Sequence, residues 1–186
     1  MVYRRILEWP NKNLKLKSKQ SALDTDGSIY EDLLDTFKVS GGYGLSAPQI
    51  GFNVRVVVIN RKLLEDREDL PDSLLMINPK VISREEETVF KEACFSLPGT
   101  QLEVSRSCKV SVEWSGLDGS LNEEIFEGYS AACIQHEIDH LDGILTIDRI
   151  SQLRRSIFIK KHKKRKLLES RALKSSREKN KKRKKR

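Results

Sequence analysis

Two of the chain's three histidines, His136 and His140, stand four residues apart in the run His136-Glu137-Ile138-Asp139-His140. On an α-helix this spacing puts both imidazoles on one face, one turn apart, where each can bring a nitrogen to about 2 Å from a single cation. Glu137 follows the first histidine and can reach a metal-bound water without being a ligand. That is the chemistry of the H-E-x-x-H pattern, in which the metal lowers the pKa of its water and the carboxylate handles the proton. Two histidines and a base leave the coordination incomplete. A further His, Asp, Glu or Cys must come from a distant point, so the fold has to bring remote segments to one helix.

A chain of 186 residues can bury one real core and is too short for two comfortable domains. Charged residues reach 33% against 38% hydrophobic, and the excess polarity is concentrated at one end. From Ser151 to Arg186 there are 18 Lys and Arg against Glu169 and Glu178, a formal charge of +16, whereas the first 150 residues carry 17 basic and 25 acidic side chains, or −8. An acidic globule with so basic an arm has a polyanion as its natural partner, nucleic acid first and anionic membrane second. Cys94, Cys108 and Cys133 are odd in number and show no disulfide spacing, which points to a reducing compartment. Trp9, Pro10 and alternating lysines occupy the first twenty residues, so neither a secretory signal nor a transmembrane helix is expected, and the protein is expected to be soluble and intracellular.

Ser28 and Glu31 form a capping box ahead of Tyr30, Leu33, Leu34 and Phe37 at helical spacing, and Gly41-Gly42 stops that helix. Val54 to Ile59 reads as a buried strand, Arg61 to Asp72 as a surface loop, and Leu74 to Ile77 and Val81 to Ser83 as short strands. Lys109 to Trp114, a turn at Asp118-Gly119 and Leu121 to Phe126 make a β-hairpin. Tyr129 to Leu141 is a second helix ending near Gly143. Strands grouped together predict an α+β domain with antiparallel β-sheets around a central helix that carries the HExxH site. Ser151 to about Leu173 reads as a surface helix of weak amphipathicity, and the tract beyond Lys174 as disordered alone.

The stretch Gln135-His136-Glu137-Ile138-Asp139-His140-Leu141-Asp142-Gly143 resembles the third signature of the peptide deformylase family. Gly42-Tyr43-Gly44-Leu45-Ser46-Ala47-Pro48-Gln49 resembles the first, and Glu92-Ala93-Cys94-Phe95-Ser96 the second, usually E-G-C-L-S. The resemblance spans about residues 1 to 150, in the family's order and separation. It implies metal-dependent hydrolysis of the N-formyl group from the starting methionine of nascent polypeptides. Residues 1–150 would be the catalytic domain and 151–186 the basic C-terminal helix and tail.

By the same resemblance, Cys94 joins His136 and His140 around one divalent metal, Fe(II) in the cell, with zinc, nickel or cobalt as other occupants. Read alone, Cys94 is a buried free thiol. Glu137 takes the proton of the attacking water and passes it to the departing amine, while the Gln49 amide and the Phe95 backbone N–H hold the oxyanion. Gly44 pairs with the incoming peptide as an added strand. Tyr43, Tyr129, Ala132 and Cys133 are candidates to line the methionine pocket, although aromatics there could equally be core. Glu92 and Arg106 form a structural ion pair, and Asp139 supports the metal ligands. Cys108 has no assigned role, Trp9 and Trp114 are core, and His162 is solvated among lysines. Ala93, Phe95 and Ser46 depart from the usual Gly, Leu and Ala. Gln101 stands where relatives commonly carry an arginine that contacts the peptide.

The basic arm reads as a ribosome or RNA anchor, or as generic polyanion affinity. The partners expected are formylmethionyl nascent peptides, by the resemblance, and the ribosome or RNA through the basic arm, with no membrane and a monomer as default. The compartment is the cytoplasm, bacterial or that of a host if the chain is virus-encoded. Two other readings share the residues: a zinc endopeptidase, because H-E-x-x-H is common to both, and an RNA-binding protein on a degenerate metal fold.

Overall fold

The computed structural model describes residues 2–21, 27–65 and 71–183. It divides into two compact units, Met1–Arg149 and Ile150–Arg186. In the first, helix α1 (Ser28–Ser40) is followed by strands β1 (Gly44–Ser46) and β2 (Val56–Asn60) and the helical turn α2 (Arg61–Glu65). Then come β3 (Ser73–Ala93), β4 (Gln101–Ser115), β5 (Leu121–Glu127) and helix α3 (Gly128–Leu141). The strands form one antiparallel sheet in the order β1-β2-β3-β4-β5. The fold is thus α+β, with the sheet packed on the helix that carries the two spaced histidines.

The unbroken apolar run Val56–Ile59 has a direct physical cause. Val57 and Ile59 pack with Ala131, Ile134, Ile138 and Leu141 of α3, while Val56 and Val58 pack with Tyr30, Leu33 and Phe37 of α1. A strand covered on both faces cannot alternate apolar with polar residues. Trp114 is core, as expected, but Trp9 is only half-buried. A lone tryptophan in an irregular segment needs just one face covered, and the backbone N–H of Trp9 is spent on the carbonyl of Ser96 at 2.9 Å.

Where two short strands are expected at 74–77 and 81–83, β3 is continuous for 21 residues. Pro79 does not break it because the register slips between Ile77 and Lys80, so the missing N–H falls on a bulge. Asn78 occupies the bulge at φ 53° and holds Ser21, its side chain bonding both the N–H and the carbonyl of that residue at 2.8 and 2.9 Å. The expected hairpin is present, with Ser115 opposite Leu121 and Lys109 opposite Glu127. The surface loop expected from Arg61 begins as α2 instead, with Arg61 buried against Phe126 and bonded to Glu124; residues 66–70 lie outside the described set.

The N-terminal segment ties three distant pieces together. Leu7 N–H donates to the carbonyl of Gln49 at 2.7 Å, Trp9 N–H to Ser96 at 2.9 Å and Ser18 N–H to Leu141 at 2.7 Å. Gly143, at φ 71°, ends the α3 region where a Cβ would stand 2.6 Å from the backbone oxygen of Lys15, so only glycine lets the two chains approach.

In the second unit, α4 (Gln152–Arg183) stays helical past Lys174, where an unstructured tract is expected. Lysine and arginine are good helix formers and carry the backbone on by local propensity. His162 is not simply solvated: its ring lies 5.8 Å from that of Phe158, and its Nδ1 3.3 Å from an Arg165 nitrogen. Among the described residues no helix is long and apolar enough to cross a membrane.

Candidate metal centre and active site

Helix α3 holds the rings of His136 and His140 with centroids 4.9 Å apart, as a spacing of four residues on a helix demands. Cys94 arrives from the turn directly after β3, and its Sγ lies 3.2 Å from His140 Nε2. One donor atom from each of Cys94, His136 and His140 lies within 4.8 Å of the other two, and all three side chains are buried. Two segments separated by more than forty positions thus meet at one point, and together the three residues could hold a metal ion.

A network of charges fixes this arrangement. Arg106 Nε donates to Glu92 Oε1 at 2.7 Å and Arg106 Nη2 to Oε2 at 3.1 Å, the ion pair expected from the sequence. The same carboxylate accepts from His136 Nδ1 at 2.8 Å, which the sequence alone does not reveal. That contact fixes the rotation of the ring; burial alone would lower the pKa of His136, but Cys94 and Glu92 beside it raise it well above the ordinary imidazole range. Asp139 accepts from Arg106 at 2.5 Å and from Arg149 Nε at 2.9 Å. Burial alone would raise the pKa of Glu92, but hydrogen bonds from His136 and Arg106 outweigh it and hold the carboxyl at about 2. Glu137 shows the opposite balance: burial pushes it up to about 7, against the opposing influence of His136. Burial, with His136 beside it, keeps His140 well below the ordinary imidazole range and therefore neutral. Burial pushes the Cys133 thiol well up, so it stays protonated and serves as an apolar wall.

The donor set fits a divalent ion. A sulfur and two imidazole nitrogens converge on one point, and the buried carboxylates of Glu92 and Asp139 beside them are already engaged by Arg106 and Arg149.

Gln49 comes from a 3-10 turn (Ala47–Ile50) between β1 and β2, closed by Gly51 at φ 95°. Its Oε1 accepts from Ser46 N–H at 3.0 Å and from the Ser46 hydroxyl at 2.9 Å. Its Nε2 is thereby turned toward Ser96 Oγ at 3.2 Å and Cys94 Sγ at 3.7 Å. Gly44 lies so close to α3 that a Cβ would stand 2.7 Å from Glu137 Oε1 and 3.0 Å from Cys133 Sγ.

These groups line a cleft of about 480 Å³. Gln49, Cys94, His136 and Glu137 occupy its buried end; Gly44, Phe95, Ala132 and Cys133 line it as well. Tyr43 and Tyr129, expected beside the pocket, also border it, but at 59% and 63% exposure they form its rim. His140 alone of the expected site residues does not line the cleft, being 1% exposed. Leu64, Phe90, Lys91 and Pro98 line it without having been named from the sequence. Phe90 carries a signal that could have found it, the period-2 alternation leading into Glu92, and its ring meets Tyr129 edge-on at 5.3 Å. Arg149 carries none.

The family model for polypeptide deformylase matches residues 3–156. The chain belongs to the peptide deformylase family. The peptide deformylase of Bradyrhizobium diazoefficiens is 39% identical over 168 residues, covering 88% of this chain and 97% of that one. Among solved structures, a peptide deformylase from Legionella pneumophila superposes with a TM-score of 0.80 at 35% identity, covering 91% of this chain and 99% of that one. A class I type b peptide deformylase from Acinetobacter baumannii with Met-Ala-Ser bound has a TM-score of 0.72 at 28% identity, covering 80% and 99%. Peptide deformylases are metallohydrolases that remove the N-formyl group from nascent polypeptides, and that is the reaction of this chain.

Proposed function

We propose that Cys94, His136 and His140 hold the metal, Fe(II) in the cell, with Glu137 as general base and acid. The carrying observation is the convergence of those three donor atoms within 4.8 Å at the closed end of a cleft. When bound, the ion supplies a Lewis acid that acidifies water and polarises a carbonyl. A soft thiolate beside two imidazoles suits iron and also accepts zinc, nickel or cobalt.

Glu137 accepts the proton of the attacking water and returns it to the departing amine. Its Oε2 is buried with no hydrogen-bond partner among the described residues, and a carboxyl near 7 can both take and give a proton at neutral pH. The Gln49 amide and the Phe95 N–H stabilise the oxyanion, and the clamp from Ser46 supports this by orienting the Gln49 amide before the reaction begins. The methionine side chain enters beside Ala132 and Cys133, with Tyr43 and Tyr129 at the mouth. The peptide lies along the edge of β1 at Gly44, which among the described residues pairs only with β2 on its other side.

We further propose that residues 1–150 are the catalytic domain and that the basic arm from 151 onward docks on ribosomal RNA. The charge of +16 supports the docking. Free cysteines support a reducing cytoplasm, and a monomer is the default state.

Formate release from formyl-Met-Ala-Ser by anaerobically prepared protein, before and after chelation, tests the reading. Release that stops on chelation and resumes with Fe(II) is expected. Undiminished release after the ion is stripped, or equal cleavage inside a longer unformylated peptide, would overturn it.

A further inference from the structure

We propose that Lys91 selects among substrates by charge, favouring nascent peptides with an acidic side chain shortly after the formylated methionine over those with a basic one. The inference rests on the active-site reading above and names a preference within it.

The charged groups lining the cleft are unequally engaged. Glu92 is consumed by Arg106 and His136, and Glu137 is buried at the closed end. Lys91 is exposed at the open end and makes no ion pair among the described residues. In the β3–β4 register Lys91 stands opposite Glu103, and Ala93 opposite Gln101, so these four share one sheet face, while Phe90 and Glu92 point to the other. Glu103 does not line the cleft, whereas Lys91 and Gln101 do. Among the described residues, the exposed polar side chains that this face gives to the cleft are thus the ammonium of Lys91 and the neutral amide of Gln101.

Distance along the strand sets which substrate residue is read. Lys91 precedes Cys94 by three residues, about 10 Å of extended chain, and a peptide lying extended from the reacting centre covers that in about three residues. A lysine stem can swing several ångströms either way. The second to fourth residues of the nascent chain are thus within its reach. Exposed ion pairs change binding only severalfold and are screened by salt, so the effect is a graded preference.

The test uses the full-length, metal-loaded enzyme with formyl-Met-Ala-Asp-Ala amide and formyl-Met-Ala-Lys-Ala amide. The quantity read is the ratio of their kcat/KM values. A ratio of about 3 to 10 in favour of the aspartyl peptide at low salt is expected, declining toward one as salt rises. Lys91→Met should bring it near one, and Lys91→Glu should invert it. The Glu variant also separates Lys91 from the long-range field of the basic arm, which it leaves intact. A wild-type ratio of one or below, or a ratio that Lys91→Glu does not move, would overturn the proposal while leaving deformylation in place. No formate from either peptide would bring down the catalytic reading, and this preference with it.

Discussion

His136 Nδ1 lies 2.8 Å from Glu92 Oε2, and Glu92 is itself clasped by Arg106. The imidazole is thus fixed in rotation by a carboxylate two residues from Cys94, so one short stretch carries the candidate sulfur ligand and orients a candidate imidazole ligand. Glu92→Gln keeps the shape and removes the charge. Metal affinity should fall about 10- to 100-fold, as for other residues behind a ligand, read by competition with a chelator. Glu92→Ala should in addition cost about 3–5 kcal/mol of stability, because Arg106 is then buried beside an empty position. Unchanged metal affinity in the Gln variant would show that Glu92 does not orient the ring.

Ser46 donates twice to one oxygen of Gln49. In Ser46→Ala the backbone donor stays and the hydroxyl goes, which removes about 0.5–1.5 kcal/mol of restraint on the amide. The expected result is a fall in kcat of about 2- to 10-fold with KM almost unchanged, in steady-state formate release. A rise in KM at constant kcat would place Ser46 in ground-state binding instead.

Gly44 faces Glu137 at a distance that no side chain can share. In Gly44→Ala the new Cβ meets Oε1 at 2.7 Å and Cγ at 2.9 Å, and the carboxylate is the group that must yield. Displacing the base by about 1 Å should lower kcat/KM by about 100-fold, while overpacking costs about 1–3 kcal/mol in denaturant unfolding. Wild-type turnover in this variant would show that the Glu137 position is not critical.

Ending the chain after Ile150 should abolish binding to RNA and leave formate release from a tripeptide within about twofold. The full chain should lose affinity steeply between 50 and 200 mM salt, by about 1,000-fold for six or more phosphate contacts, in a titration against ribosomal RNA. RNA binding that survives the cut would remove the arm from the docking reading.

Much of the site was legible before the structure because its parts are local. His136, Glu137 and His140 belong to one helical turn and its neighbour, and Cys94 and Gln49 were named through short motifs resembling a family. The hairpin at Asp118-Gly119 and the strand Val56–Ile59 follow from turn chemistry and β-branched composition over a few residues. Pro79 misled the reading of β3, because whether a proline breaks a strand or sits on a bulge depends on the register of the partner strand, and no single segment contains that register.

What the sequence determined by itself, then, is which side chains are available and which of them share a face, since helical and strand periods are properties of the local backbone. Only tertiary structure decided that Glu92 meets His136, that Arg149 meets Asp139, that Lys91 stands at the lip of the cleft, and that the N-terminal segment bonds to the carbonyls of Gln49 and Ser96. Those meetings join residues far apart along the chain. They are set by how a buried helix packs on a bent sheet, where close packing of side chains, and not spacing along the chain, selects the partners.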